Sequence, residues 1–223
     1  RRQRQMCIRD RLLYIAERLF IDDSEVQRNP KQNLGGWVSG GDIKYKNLPD
    51  VNGNYDNVID SNDRQYTGMP TTPEIVYGFG PSFRYKKFDF SFFFQGAARV
   101  SIMMNGIHPF GAEGTRNVLQ FIADDYWSET NQNIYAEYPR LSKRDNENNT
   151  KASTYWQRNG AFLKLKNLEV GFNHKFFRVY LRGSNLLTFS PFKYWDPEMG
   201  SGSGLSYPTQ RVFNVGVQFS INK

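Results

Sequence analysis

The chain has 223 residues, of which 39% are hydrophobic and 16% aromatic, and its formal net charge is +7. The 18 Phe, 13 Tyr and 4 Trp put much of the apolar content in residues that favour strands over helices. The charge does not indicate a nucleic-acid partner, because residues 1–11 supply +4 of it and the later Lys and Arg alternate with acidic and amide side chains.

Residues 1–11, RRQRQMCIRDR, match no pattern found later in the chain. We interpret them as a non-native segment and begin the domain interpretation at residue 12. Cys7 lies in this segment and is the only cysteine, so we predict neither a disulfide nor a cysteine-based metal site. No run of about 18 apolar residues occurs, so we predict no transmembrane helix.

The first strong periodicity is the two-residue alternation of EIVYGFGPSFRYKKFDFSFFFQGAA, residues 74–98. It predicts two long antiparallel strands joined by a tight turn at Lys86 and Lys87. The apolar positions that recur at every second residue are Ile75, Tyr77, Phe79, Phe83, Tyr85, Phe88, Phe90, Phe92 and Phe94.

A second strand pair is predicted over residues 161–187, with a turn near residues 173–175, and a last strand over residues 210–221. The alternation changes phase within the first strand of this pair, which predicts a β-bulge around Asn167. The basic positions of these strands share faces that can point into water; they are Lys164, Lys166, Arg178 and Arg182.

Strand length and loop length together favour a membrane-spanning sheet. Strands of about ten residues match the ~9–11 residues that a tilted strand needs to cross a bilayer. Short turns alternate with long polar connections at residues 47–73, 98–160 and 189–208, as in barrels with short periplasmic turns and long extracellular loops. The alternative is a soluble β-sandwich with one buried face.

Several segments of the sequence resemble the C-terminal third of SusC/RagA-type TonB-dependent outer-membrane receptors. They are GDIKYKNL, the segment TPEIVYGFGPSFRYKKFDFSFFFQGA, YPRLS, FLKLKNLEVGFN and YLRGSNLLTFSPFKYWDPE. The resemblance implies an all-β fold, the C-terminal antiparallel segment of a 22-stranded transmembrane β-barrel with long extracellular loops. The family's plug domain, TonB box and first barrel strands have no counterpart in residues 12–223.

The resemblance also implies a transport function and its partners. Such receptors import glycans or peptides across the outer membrane of Gram-negative, Bacteroidetes-like cells with energy from TonB. They contact outer-membrane lipid, a SusD-like surface lipoprotein and, through the N-terminal region, the TonB complex. The alternative function is a soluble carbohydrate-binding module of a secreted glycosidase.

Catalytic chemistry is poorly supported by the residues. His108 and His174 have no metal-ligand spacing to another side chain, and no G-x-S-x-G nucleophile elbow occurs. Asp124 and Asp125 are adjacent, so on a helix they diverge and do not share a proton across a substrate. We therefore predict that the chain is not an enzyme.

Aromatic residues in the long connections have two interpretations. Trp127, Tyr135 and Tyr138 are candidate contacts for a ligand or a partner, because flat rings stack on sugars and pack at interfaces. Four others are assigned to the aromatic girdle at the membrane interface: Tyr155, Trp156, Tyr194 and Trp195.

The stretch DVNGNYDNVIDSND, residues 50–63, is similar to a calcium loop that many members of this family carry. Aligned from both ends with the D-x-[DN]-x-[DN]-G pattern, its ligands are Asp50, Asn52, Asp56, Val58, Asp60 and Asp63. Asn57 takes the left-handed bend, and residues 53–55 contain an insertion of two. Calcium is the only cofactor predicted, and the alternative is a polar turn without metal.

Overall fold

The structure is a computed structural model that describes residues 10–104, 118–143 and 146–220. Strands dominate it. The described residues form two compact units, one from the segments up to Gly68 and Met104–Gln157, the other from Met69–Met103 and the segment from Arg158 onward. No helix in the described residues is both long and apolar enough to span a membrane.

Strands and a few short helices follow one another along the chain. The strands are β1 (Asp10–Tyr14), β2 (Ala16–Leu19), β3 (Lys31–Gln32), β4 (Ile43–Tyr45), β5 (Val58–Ile59), β6 (Arg64–Pro70), β7 (Ile75–Phe79), β8 (Ser82–Tyr85), β9 (Phe88–Ala98), β10 (Ser101–Met103), β11 (Gln157–Asn159), β12 (Phe162–Asn173), β13 (Phe177–Phe189) and β14 (Val212–Phe219). The helices are α1 (Asp23–Arg28), α2 (Gln120–Asp124) and α3 (Glu147–Thr150), and a 3₁₀ turn covers Pro197–Met199.

The second unit is built on one antiparallel sheet with the order β14-β13-β12-β9-β7, in which β8 also pairs with β9. Directly opposed residues lie on the same face of a sheet. One row across β9, β12, β13 and β14 is therefore wholly apolar: Phe90, Val170, Leu181 and Val215. These side chains are exposed, whereas a soluble sandwich would bury them under a second sheet.

The opposite face of the same four strands is polar. The next row along the strands is Ser91, Glu169, Arg182 and Asn214. Tyr180 also lies on this face, and its ring covers Gly216, where a Cβ would lie 2.3 Å from the ring. Arg178 and Arg182 lie on this polar face, as predicted, whereas Val179 and Leu181 lie on the other.

The predicted turns and the bulge are also confirmed, with one difference. Lys86 adopts a left-handed φ of 54° in the β8–β9 turn, and the β12 register shifts between Leu165 and Asn167. The strand predicted over residues 75–85 is divided into β7 and β8 at Gly80 and Pro81. Pro81 has no N–H to donate, so it interrupts the ladder with β9.

The first unit has its own apolar core, which the polarity of its sequence did not indicate. Its largest fully buried side chains include Trp156, Tyr45, Tyr138, Phe20 and Leu13. Short strand pairs support this core: β2 with β4, antiparallel, and β3 with β5, parallel. The described residues of the connections predicted at 47–73 and 98–160 therefore contribute mostly to this structured unit rather than to open loops.

Buried amide side chains cross-link distant parts of the first unit. Gln32 donates to Asn148 Oδ1 at 2.7 Å, and Asn149 Nδ2 donates to Asp42 Oδ1 at 2.9 Å. Arg140 pairs with Asp42 at 2.7 Å. Each group thus regains the hydrogen bonds that it loses with water, which is the condition for burying polar side chains.

Candidate functional site

The polar face of the sheet carries a row of balanced charges. Arg178 Nη2 lies 2.5 Å from Asp89 and 2.6 Å from Glu169, and Arg182 Nε donates to Glu169 at 2.6 Å. Two guanidinium groups and two carboxylates therefore compensate one another. Such a row is costly in lipid and stable in a wet interior, as predicted for Arg178 and Arg182.

A second charge cluster joins β12 to the loop that follows β13. Buried Lys164 donates from Nζ to Asp196 at 2.5 Å and to Glu198 at 2.9 Å, and Lys166 pairs with Glu198 at 2.7 Å. We call these four residues the Lys164 clamp. Burial raises the pKa of the Asp196 carboxyl, but the Lys164 ammonium and the Glu198 N–H more than offset this, so the pKa is lowered.

The acidic partners of the clamp were missed in the sequence. Asp196 and Glu198 lie at the end of the segment YLRGSNLLTFSPFKYWDPE, which carries part of the family resemblance. A buried lysine needs a counter-charge, so the two lysines on β12 were the signal that acidic residues must lie near. The clamp fixes the loop of residues 190–211 to the polar face of the sheet.

The acidic stretch at residues 50–63 forms successive turns in which carboxylates accept backbone N–H groups. Asp50 accepts from Asn52 and Asn54, which lowers the pKa of its carboxyl, and Asp63 accepts from Leu48 and Asp60. Asn57 has φ 57°, so the predicted left-handed bend is confirmed.

Three of the predicted calcium ligands line one cavity of about 510 Å³: Asp50, Asp56 and Asp63. Asn54 and Asn62 lie in the same wall, whereas Asn52, Val58 and Asp60 do not. The donor set fits a hard cation, because it offers carboxylate and amide oxygens. Nevertheless, no three His, Cys, Asp or Glu side chains in the described parts of the chain are grouped closely enough to hold a metal ion. Calcium binding stays a prediction.

Two of the three candidate contact aromatics are not available to a ligand. Tyr138 is 0% exposed and Trp127 is buried with its ring against Gly41, so their assignment as contact residues is wrong. The reason is that their connection folds into the core of the first unit. Tyr135 is 75% exposed and remains a candidate contact.

The girdle assignment is wrong for two of its four residues. Trp156 is 1% exposed and donates to the Asn149 carbonyl inside the first unit. Trp195 lines a polar cavity with Lys164 and Asp196, which is not a lipid-facing position. For Tyr155 and Tyr194 the girdle assignment stays a prediction.

Comparison with known proteins agrees with this geometry. The chain is 30% identical to TonB-dependent receptor P3 of Formosa agariphila over 191 residues, which cover 75% of this chain and 18% of the relative. It is 29% identical to TonB-dependent receptor P26 of the same organism over 236 residues, which cover 90% of this chain and 23% of the relative. No protein-family model matches the chain.

Solved structures show the same fold. The RagAB peptide importer in its open-open state superposes with a TM-score of 0.66 at 19% identity, over 95% of this chain and 22% of that one. A second structure of the RagAB peptide transporter gives a TM-score of 0.65 at 19% identity, over 94% and 22%. The chain belongs to the TonB-dependent receptors, and its fold is that of the RagA-type barrel.

This receptor segment has the predicted all-β fold, an antiparallel part of a transmembrane β-barrel, and its C-terminal place in that barrel stays a prediction. It spans about a fifth of the length of the relatives, and the count of 22 strands stays a prediction. The relatives are receptors and importers, so the prediction that the chain is not an enzyme is confirmed. Of the residues considered for catalysis, His174 packs on Phe177 in a turn, and His108 lies outside the described residues, as does Cys7.

Calcium is expected to raise the melting temperature of the detergent-solubilised receptor, because it would bind the carboxylates that line the residue 50–63 cavity in the folded state only. The Asp50→Asn, Asp56→Asn double variant should lose most of this shift. Asn keeps an acceptor oxygen for each turn, so the variant removes charge without removing the turns. Differential scanning calorimetry with calcium and with magnesium measures the effect. A shift that is absent, or equal in both proteins, contradicts the prediction.

Proposed function

We propose that the chain forms part of the wall and extracellular loops of an outer-membrane importer that takes up oligosaccharides or peptides with energy from TonB. The observation that carries the proposal is the contrast between the two faces of the β14-β13-β12-β9-β7 sheet. One face exposes rows of aromatic and aliphatic side chains, and the other carries balanced charges. A wall between lipid and a wet interior needs this contrast.

The proposed partners are a SusD-like surface lipoprotein on the extracellular side and the TonB complex through the region that precedes this segment in the relatives. The names of the relatives support TonB dependence, and the description of the structural neighbours as a peptide importer supports import. The Formosa relatives support a Bacteroidetes-like outer membrane as the location. Exposed Tyr135 is a candidate contact for the lipoprotein or the substrate.

Deleting the receptor gene in its host is expected to reduce uptake of one substrate class by about tenfold or more, because the specific carrier for that class is lost. Fluorescent oligosaccharide and peptide mixtures, assayed separately, identify the class. The intact gene should restore uptake, and a gene without the TonB-contacting segment should not. Affinity purification of the receptor should recover the lipoprotein. Unchanged uptake of both mixtures would exclude an import function.

A further inference from the structure

A cavity of about 300 Å³ opens beside the Lys164 clamp on the polar face of the second unit. Thr188, which lines it, lies directly opposite Lys164 in the register of β12 and β13, so both side chains belong to the polar face. The charged, hydroxyl and aromatic residues of its wall include Lys164, Lys193, Trp195, Asp196, Thr209 and Arg211. We call it the Arg211 cavity.

The Arg211 cavity has an excess of positive charge. Asp196 is its one lining carboxylate, and both oxygens are engaged, Oδ2 with Lys164 Nζ and Oδ1 with the Glu198 N–H. Lys164 and Asp196 therefore neutralise each other. Lys193 and Arg211 are exposed, and within the described residues neither forms an ion pair. Two uncompensated cations remain at the wall.

The wall is held in place by contacts that do not involve these two cations. Trp195 donates from Nε1 to the Gly200 carbonyl at 3.0 Å, and its ring forms a T-shaped pair with Phe192 at a centroid distance of 4.6 Å. Asn185 donates to the Gln210 carbonyl at 3.1 Å, immediately before Arg211. A ligand that enters the cavity therefore meets a preformed surface, which lowers the cost of binding.

We propose that the Arg211 cavity binds a carboxylate group of the imported substrate. This rests on the proposed import function and names the chemistry that the substrate carries. Arg211 offers a guanidinium fork that matches a carboxylate, and Lys193 adds a second positive charge, whereas the Thr209 hydroxyl is already hydrogen-bonded to Asp196. Trp195 presents a ring edge or face to the apolar part of the same molecule. A uronate sugar and a peptide with a free carboxylate both meet these requirements.

Binding to the purified full receptor in detergent distinguishes these two sources. The probes form two matched pairs: trigalacturonate with its methyl ester, and N-acetyl-tetra-alanine with its C-terminal amide. Isothermal titration is expected to show that the carboxylate member of one pair binds at least about tenfold more tightly than its neutral partner, because charge-assisted hydrogen bonds are lost in the neutral form. The pair that shows the preference identifies the source.

The Lys193→Gln, Arg211→Gln double variant should bind the carboxylate probe no more tightly than the neutral probe. Affinity for the neutral probe should be unchanged, which shows that the cavity is still folded. The matched control is Lys175→Gln, an exposed lysine in the turn after β12, at the opposite end of this strand from Lys164, and it should keep the preference. Absence of a carboxylate preference in both pairs, or its survival in the double variant, would overturn the proposal. Failure of the import function would instead appear as unchanged uptake in cells.

Discussion

Val215→Arg in the full receptor is expected to lower the amount of protein assembled in the outer membrane at least about tenfold. Val215 is 76% exposed at the centre of β14, opposite Leu181 in the apolar row. An arginine on the lipid side of a barrel costs about 2–4 kcal/mol near the bilayer midplane, and the described residues of β13 that face Val215 are Val179, Leu181 and Gly183, which carry no charge. Outer-membrane fractionation with a heat-modifiability gel measures the folded receptor.

The matched control is Gln218→Arg on the other face of the same strand. Gln218 lies opposite Arg178, whose charge is already balanced by Asp89 and Glu169. An added arginine there faces water but lies opposite Arg178, so its cost is that of a solvent-screened contact between like charges, roughly 1 kcal/mol or less. Equal losses for the two variants would show that the faces of β14 are assigned wrongly.

The sheet of the second unit was predictable because one of its faces is adapted to lipid and the other to water. Lipid requires an apolar side chain at every second position of a strand. The alternation around Val170 and Leu181 is therefore enough to predict the strands, the face on which each side chain lies and the register of the pairing. The bulge at Asn167 was visible for the same reason, since a change of phase means an extra residue in the ladder. The break at Pro81 was missed because Phe79 and Phe83 keep the alternation on both sides of it.

The first unit was not predictable from local pattern. Its core depends on pairs far apart in the chain, such as Gln32 with Asn148 and Asp42 with Asn149. Asparagine in a polar stretch predicts a turn on propensity alone, and nothing nearby indicates that it will be buried. The same limit explains Tyr138, which was expected at the surface. The Lys164 clamp was missed because its carboxylates follow Lys164 by 32 and 34 residues.

The strongest test of the buried polar network is Arg140→Met. Asp42 is 0% exposed, and Arg140 supplies two of its hydrogen bonds, from Nε at 2.7 Å and from Nη2 at 3.2 Å. Removing one member of a buried ion pair costs about 3–5 kcal/mol, because the remaining charge is desolvated without compensation. Ser39 N–H and Asn149 Nδ2 still donate to Asp42, so we expect the lower end of this range.

A loss of about 3 kcal/mol corresponds to a roughly hundredfold drop in hydrogen-exchange protection of the first unit. Exchange mass spectrometry of the solubilised receptor, read on peptides that contain β2 and β4, measures it. Lys151→Met is the matched control, because its ion pair with Glu147 is an exposed i,i+4 pair that contributes about 0.5 kcal/mol or less. Adding Asp42→Asn to Arg140→Met should restore part of the protection, since it removes the buried negative charge that has lost its ion-pair partner. If protection falls no further in Arg140→Met than in Lys151→Met, the pair does not hold the first unit together.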